Sequence, residues 1–395
     1  MKIRVGILFG GVSVEHEVSV ISGLQALHAL DENIYEAIPI YLTKEGIWYT
    51  GAALKNIDAY KNLAALLNEC ETVRLVREAE GKFILEKTET KLFGKKQAAE
   101  IDVAFPVTHG TNGEDGILQG FLQLLGIPFV GPDVLSSAIG MDKVVMKNIL
   151  RDSGLPIVKH IWFYKSQWLE DQEAWMQKAE EEIGYPIIVK PANLGSSVGI
   201  SKAKNRADLE SAVDYAAQFA HKLLLEAVVE QLTEINCSVL GDQESAEASV
   251  CEEVLGNDEI LSYKDKYEGN SSKGMSGASR KIPAEISEEK TKEIQSLAKE
   301  VFYVLGCTGV ARIDFLLDTK TEKVYVNEIN SIPGSLSFYL WEPTGKSFTE
   351  LVDILVKLAL KRTREQLEIS YAYDSNLFAI HGGTKGKLGA KGTQT

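Results

Sequence analysis

YPIIVKPANLGSSVGISK, residues 185–202, puts an apolar run directly before a lysine and a glycine-serine loop. Ile187, Ile188 and Val189 have the composition of a buried strand, and Lys190 stands at its end. The loop Gly195-Ser196-Ser197-Val198-Gly199 has two readings. It is a plain turn, or it is a cover in which backbone N–H groups and hydroxyls wrap phosphates. No G-K-[ST] follows the glycines and the spacing is not G-x-G-x-x-G, so neither standard nucleotide loop applies. The loop by itself leaves the choice open.

The rest of the chain narrows it. At 395 residues the chain accommodates two or three domains, each able to bury a core. A formal net charge of -14 argues against nucleic acid as a partner, because holding its phosphates by bulk electrostatics needs a basic surface. A small anion needs only a few local cations. Cys70, Cys237, Cys251 and Cys307 form no C-x-x-C pair, so neither a zinc site nor a disulfide framework is indicated, as suits a reducing cytoplasm. No apolar run reaches the ~18–20 residues that span a bilayer, and no membrane partner is expected. MKIRVGILFGG at the N-terminus reads as a first strand rather than a signal peptide. The glycine- and lysine-rich residues 382–395 are expected to be a flexible tail, within a segment 371–395.

IRVGILFGG (3–11) followed by the helical pattern of residues 13–30, with Ser13 or Ser19 as cap, opens a βαβ unit. YEAIPIYLT, IDVAFPVTHG and the short IPFVG supply further strands, and GILQGFLQLLG a helix closed by Gly126. This alternation implies a parallel sheet over residues 1–133, with ligands at the C-terminal strand ends. Residues 54–99 carry no clear pattern. From 134 to 222 the order is helix, strand, helix, strand. From 223 to 370 the strands alternate polar and apolar residues, which suits an antiparallel sheet with one wet face. The fold class is α/β, becoming α+β in the C-terminal part.

Asp314 lies in ARIDFLLD (311–318), and Glu328 and Asn330 lie two apart in KVYVNEIN (323–330), so these two share a face. Three hard oxygen donors on adjacent strands suit Mg²⁺, or they are carboxylates facing solvent at a sheet edge. Arg312 shares the face of Asp314 and either pairs with it or clamps a transferring phosphate. Glu15 and Glu17 open a helix, where they are favourable dipole partners unless Glu15 receives a substrate ammonium. His109 ends a strand, as a loop histidine or an anion contact. Residues 263–283 form a long polar loop with Lys264, Lys266, Lys273, Arg280 and Lys281, either a mobile lid over anions or a surface loop.

Taken in order, LFGGVSVEHEVSVISG (8–23), THGTNGEDGILQG (108–120), GMDKVVMKNIL (140–150), KPANLGSSVGISK (190–202), the Lys266-Tyr267 pair, GVARIDF (309–315) and NEINSIPG (327–334) resemble the D-alanine–D-alanine ligases of the ATP-grasp superfamily, from about Lys2 to Leu360. The resemblance implies a three-domain ATP-grasp fold with a Rossmann-like N-terminal domain (1–133), a central subdomain (134–222) and a C-terminal subdomain (223–370). It implies ATP between the last two and two Mg²⁺ (or Mn²⁺) on Asp314, Glu328 and Asn330. It assigns Lys143, Lys190 and Ser197 to the ATP phosphates, Glu226 with the backbone near Val229 to adenine, and Glu234 to ribose. Glu15, with Ser196 and Tyr267, would take the ammonium of the first D-alanine. His109 would lie near that substrate, and Arg312 with the Gly334 N–H would stabilise the oxyanion. A cytoplasmic enzyme of cell-wall precursor synthesis follows, with a homodimer as a further implication.

Two departures bear on the second substrate. After NEIN the chain reads SIPGSLSFYLWEP (331–343), whereas the family pattern has Met and Thr after Pro-Gly and then a carboxylate-binding serine. Tyr339 falls at that serine's place, and its hydroxyl or that of Ser337 is the substitute. The loop between Tyr267 and Pro283 is also longer than in the pattern. The acceptor is therefore open among D-alanine, D-serine and D-lactate. The Lys266-Tyr267 pair favours D-alanine, with Lys266 at the substrate. Another carboxylate–amine ligase would not need the Glu15, Ser196 and Tyr267 set. A nucleotide-binding regulatory protein would be expected to lack Arg312 or a metal ligand.

Overall fold

The computed structural model describes residues 2–89, 96–195, 198–255 and 279–370. Ser196, Ser197, Lys266, Tyr267 and the 371–395 tail lie outside the described residues. Residues up to Leu360 form one compact unit, and Lys361 onward a second.

The first sheet contains Ile3–Gly10 (β1), Tyr35–Leu42 (β2), Trp48–Thr50 (β3), Glu71–Arg77 (β4), Phe83–Lys87 (β5), Gln97–Ile101 (β6) and Val103–Pro106 (β7), in the order β6-β5-β4-β3-β2-β1-β7. β1 runs parallel to β2 and β7. The pairings from β2 to β6 are antiparallel, so the expected parallel sheet is mixed. The unclear stretch 54–99 supplies much of its antiparallel half. IPFVG contributes one parallel bridge, Phe129 to Ala104, rather than a strand.

Helix His16–Ala29 (α1) follows β1; Leu63–Asn68 (α2) and Ile117–Leu125 (α3) follow in turn. Neither serine caps α1. Its cap residue is Glu15, whose N–H donates to Ser13 Oγ at 3.1 Å. Ser19 lies one turn inside, accepts from Gly10 N and donates to Val107 O, and so ties β1 to the loop after β7. Gly126 ends α3 at φ 76°, a conformation that suits glycine.

Two helices, Val134–Met141 (α4) and Lys143–Asp152 (α5), replace the single one expected. The break is at Asp142, whose carboxylate caps α5 by accepting from the Val144 and Val145 N–H groups. The second sheet has the order β10-β9-β11-β8, with His160–Tyr164 (β8), Ile187–Pro191 (β9), Ser201–Ala203 (β10) and Lys222–Ala227 (β11); helices Lys165–Glu170 (α6), Gln172–Glu182 (α7) and Arg206–Ala216 (α8) interleave. β11 pairs with β8 and β9. The sheet boundary therefore falls after Ala227 rather than at residue 222, because Leu223 and Leu225 are needed in this core.

The third sheet, β14-β13-β12-β15-β16, is antiparallel throughout, as its alternating pattern predicts. It contains Leu232–Gly241 (β12), Ala246–Leu255 (β13), Ser279–Lys281 (β14), Gly309–Asp318 (β15) and Lys323–Asn330 (β16). Helix Glu288–Val304 (α9) covers its apolar face through Ile294, Ala298, Val301 and Phe302, and Met146 and Leu150 of α5 join that core. Helix Phe348–Leu367 (α10) ends the described chain. Its Leu351, Val352, Leu355 and Val356 share one core with Val5 and Ile7 of β1 and Val20, Leu24 and Leu27 of α1.

Candidate active site

The polar face of the third sheet carries the candidate site. Glu252, Asn236, Asp314 and Glu328 stand directly opposite one another across β13, β12, β15 and β16. Paired positions share a face, so four polar side chains form one transverse row. Two residues along each strand, Arg312 opposes Ser238 and Asn330, making a second row on the same face. On the other side of the first row, Glu234 opposes Val254 and Leu316, and Val254 opposes Arg280. A bulge between Asp314 and Phe315 adds Asn327 on β16.

Arg312 grips Asp314 with two bonds, Nε to Oδ1 at 2.7 Å and Nη2 to Oδ2 at 2.8 Å. Burial favours the neutral guanidine, yet the Asp314 charge outweighs it and raises the Arg312 pKa well above its ordinary value. Asn330 donates through Nδ2 to Asp314 Oδ2 at 3.0 Å, which turns its amide oxygen away from that bond. Two carboxylates and an amide oxygen are a hard donor set that fits Mg²⁺.

Two lysines face this corner. Lys143, at the start of α5, reaches Glu328 Oε2 at 3.2 Å and donates to Leu194 O at 3.0 Å. Lys190 donates to Asn327 Oδ1 at 3.3 Å and pairs with Glu226. The Glu226 carboxylate is buried and pairs also with the fully buried Lys147, at 2.8 Å, so two lysines engage it. Burial raises the Glu226 pKa, but the lysines prevail and hold it at about 2. Burial also takes Lys147 below the ordinary lysine range, against the pull of Glu226. Val229, in the turn after β11, and Glu234 are half-buried.

Glu15 sits where three segments meet. A Cβ built on Gly110 would stand 2.5 Å from its Oε2, and one on Gly195 3.1 Å from the same atom. The carboxylate therefore lies against both the loop after β7 and the start of the glycine-serine loop. His109 is buried, with Nε2 3.0 Å from Ser22 Oγ. Burial lowers its pKa to about 4 despite a backbone bond at Ile332, so the ring is neutral. Glu114 accepts from the N–H groups of Gly110 (2.8 Å) and Ile332 (3.0 Å). Burial and the facing Glu15 charge raise its pKa to about 8 against those bonds.

Gly334 opens a short turn, Gly334–Leu340, in which Ser335, Leu336 and Ser337 all have φ 51°. Three left-handed non-glycine residues in a row are strained. The Ser335 N–H donates to Ser22 Oγ at 2.9 Å, anchoring the turn to α1. Ser337 Oγ is buried with no hydrogen-bond partner among the described residues, so it does not line open space. Tyr339 is directed toward the row, its hydroxyl 3.4 Å from Glu252 Oε2.

Family models described as D-ala D-ala ligase N-terminus and C-terminus match residues 4–132 and 149–357. The chain belongs to the D-alanine–D-alanine ligase family. The D-alanine–D-alanine ligases of Bacillus cytotoxicus and Natranaerobius thermophilus are 41% and 42% identical to it, covering 94% and 92% of this chain and 99% and 97% of theirs. Among solved structures, that of the D-alanine-D-alanine ligase from Coxiella burnetii superposes with a TM-score of 0.79 at 29% identity, covering 93% of this chain and 96% of that one. The VanG D-Ala:D-Ser ligase from Enterococcus faecalis gives 0.76 at 28%, covering 91% and 100%. Mixed α/β sheets and an ATP-grasp architecture are thus shared with D-alanine–D-alanine ligases.

Several polar residues of this family member escaped sequence reasoning. Lys147 stands one turn after Lys143 on α5, and that i, i+4 spacing was the available signal. Glu114, Ser22 and Glu252 gave none, because each works through a partner distant in sequence.

Proposed function

We propose that this chain joins two D-alanines into D-alanyl-D-alanine at the expense of ATP, supplying peptidoglycan synthesis in the cytoplasm. The observation that carries this reading is the row of Glu252, Asn236, Asp314 and Glu328, with Arg312 beside it and Lys143 and Lys190 facing it. A carboxylate is a poor acyl donor because its leaving group is poor. Its oxygen attacks the γ-phosphorus of ATP, the bond to ADP breaks, and an acyl phosphate results. Lys143 and Lys190 bind the phosphates, with Glu234 at the ribose and Glu226 and the backbone at Val229 by the adenine. Magnesium held by Asp314, Glu328 and Asn330 would neutralise charge spread over the moving phosphoryl oxygens.

Glu15 binds the first ammonium, and the neutral His109 adds no competing cation beside it. The amine of the second substrate then attacks the acyl carbon. Arg312 and the Gly334 N–H hold the oxyanion until phosphate leaves. Ser196, Ser197, Lys266 and Tyr267 complete the site in this proposal. We assign three domains, with the middle boundary after Ala227, and a homodimer that sedimentation would detect.

D-Serine as acceptor is a second reading. It is supported by the likeness to a D-Ala:D-Ser ligase and by Tyr339 standing where the family pattern has serine. Release of ADP with D-alanine, compared with L-alanine and with no amino acid, tests the function. D-Serine and D-lactate as competing acceptors choose the product. Equal release with L-alanine would sink the proposal.

A further inference from the structure

We propose that Ser22 is a positioning residue for dipeptide formation: its hydroxyl, backed by His109, fixes the turn that carries the Gly334 N–H and so aims that donor at the oxyanion formed when the second amine attacks. The assignment rests on the ligase reading above and extends it to a buried residue of α1.

The turn after β16 needs an external hold. Ser335, Leu336 and Ser337 each have φ 51°, a region that is costly for an L side chain and persists only where the surroundings impose it. Ser22 supplies a bond at the first of these residues, accepting the Ser335 N–H at 2.9 Å. Both serines are buried, so bulk water does not compete for this bond. Its direction is set by the neighbours. His109 has a backbone bond at Ile332 that favours the charged ring, so the ring donates there to the carbonyl. Burial keeps the ring neutral, and its other nitrogen, Nε2, therefore carries a lone pair. Nε2 is 3.0 Å from Ser22 Oγ, so the serine O–H donates to it. The oxygen lone pairs of Ser22 are left for the Ser335 N–H. The Ile332 N–H meanwhile donates to Glu114 at 3.0 Å. Gly334 thus lies between two residues, Ile332 and Ser335, that are tied to the loop after β7 and to α1.

Position on α1 gives the Ser22 bond its role. Glu15 caps this helix, and Ser22 stands seven residues on, two turns along the same face. At the α-helical rise the two are roughly 10 Å apart along the axis. That is about the length of an amino acid with a hydrogen bond at each end. One helix therefore spaces the carboxylate that takes the first ammonium from the turn that meets the same substrate's carbonyl oxygen. The competing explanation is packing. Leu336 shares a core with Val20 and Leu24, and Ser22 would then only fill space beside it.

Wild type, S22A and S22C separate the two. Cysteine nearly keeps the volume of serine but is a weak acceptor, so it removes the bond and preserves the packing. Each protein, in excess over ATP, is given saturating D-alanine for a single turnover, and ADP and dipeptide are followed separately. ADP reports the phosphoryl step, and dipeptide reports the attack of the amine. In both variants ADP should form within about twofold of the wild-type rate. Conversion of the acyl phosphate to dipeptide should slow roughly tenfold, the scale of leaving a buried donor unsatisfied. The KM for ATP should not move. S22C keeps the comparison readable if S22A folds poorly. Equal slowing of both steps, slowing of the first alone, or no slowing of either would make Ser22 a packing residue and overturn the assignment. Failure of wild type to form any dipeptide would overturn the ligase reading itself.

Discussion

At the scale of single residues, the site is organised by buried charges that compensate one another. Glu114 and His109 both lie in the loop after β7, and burial favours the neutral form of each, shifting their pKa values in opposite directions. The folded state prefers protonated Glu114, with a pKa of about 8 against an ordinary 4.5. Its contribution to stability is full below the ordinary value and is lost as pH rises through about 8. His109, at about 4 against 6.5, contributes fully above its ordinary value and loses that contribution as pH falls toward 4. Thermal melts across pH should therefore show a shoulder on each side, and Glu114→Gln should flatten the alkaline one. An alkaline arm unchanged in that variant would refute the assignment. Arg312→Ala should lower kcat by roughly a hundred- to a thousandfold, typical of losing one oxyanion donor, in protein whose circular dichroism matches wild type. Legibility at this scale followed motif membership. Asp314, Glu328, Asn330 and Arg312 were readable because strand spacing alone puts them on common faces. The pairing of Glu226 with Lys147 and Lys190 was not readable, because these partners meet it only across the fold.

At the scale of elements, close approach decides which residues are allowed. Gly23 of α1 lies directly over Phe9 of β1, and a Cβ there would overlap the ring. Gly23→Ala should destabilise by about 2 kcal/mol through overpacking, read as a drop in melting temperature. The left-handed turn at 335–337 shows a different tension. Its buried Ser337 hydroxyl has no described partner, and an unsatisfied buried group costs on the order of 1 kcal/mol or more. Ser337→Ala should therefore raise the melting temperature; a fall would mean the hydroxyl has a partner in the folded protein. Element types were readable from periodicity, while sheet membership was not. β11 looks like the start of a new region because its apolar run follows a polar helix, and only its pairing with β8 and β9 assigns it to the second sheet. Residues 54–99 were unreadable because short strands and 3₁₀ turns leave no sustained period.

At the scale of the whole molecule, the described unit ending at Leu360 is joined by packing that ignores sequence distance. The core around β1 and α1 is completed by Leu351, Val352, Leu355 and Val356 of α10. A fragment of residues 1–132 should therefore fail to show a cooperative melt and should bind a hydrophobic dye such as ANS. A sharp melting transition in that fragment would contradict the shared core. Composition and strand order suggested separable domains, and nothing in the sequence signals that its two ends complete one core.

The Glu114 carboxylate has a consequence for ancestry. It spans from the Gly110 N–H to the Ile332 N–H, linking the loop after β7 to the segment after β16. A genetic crossover in the stretch between them would unite an acid from one lineage with a receiving loop from another. Unless both parents preserved the same spacing there, the hybrid would inherit a misaligned cleft, so this joint is a poor place for natural shuffling of gene halves.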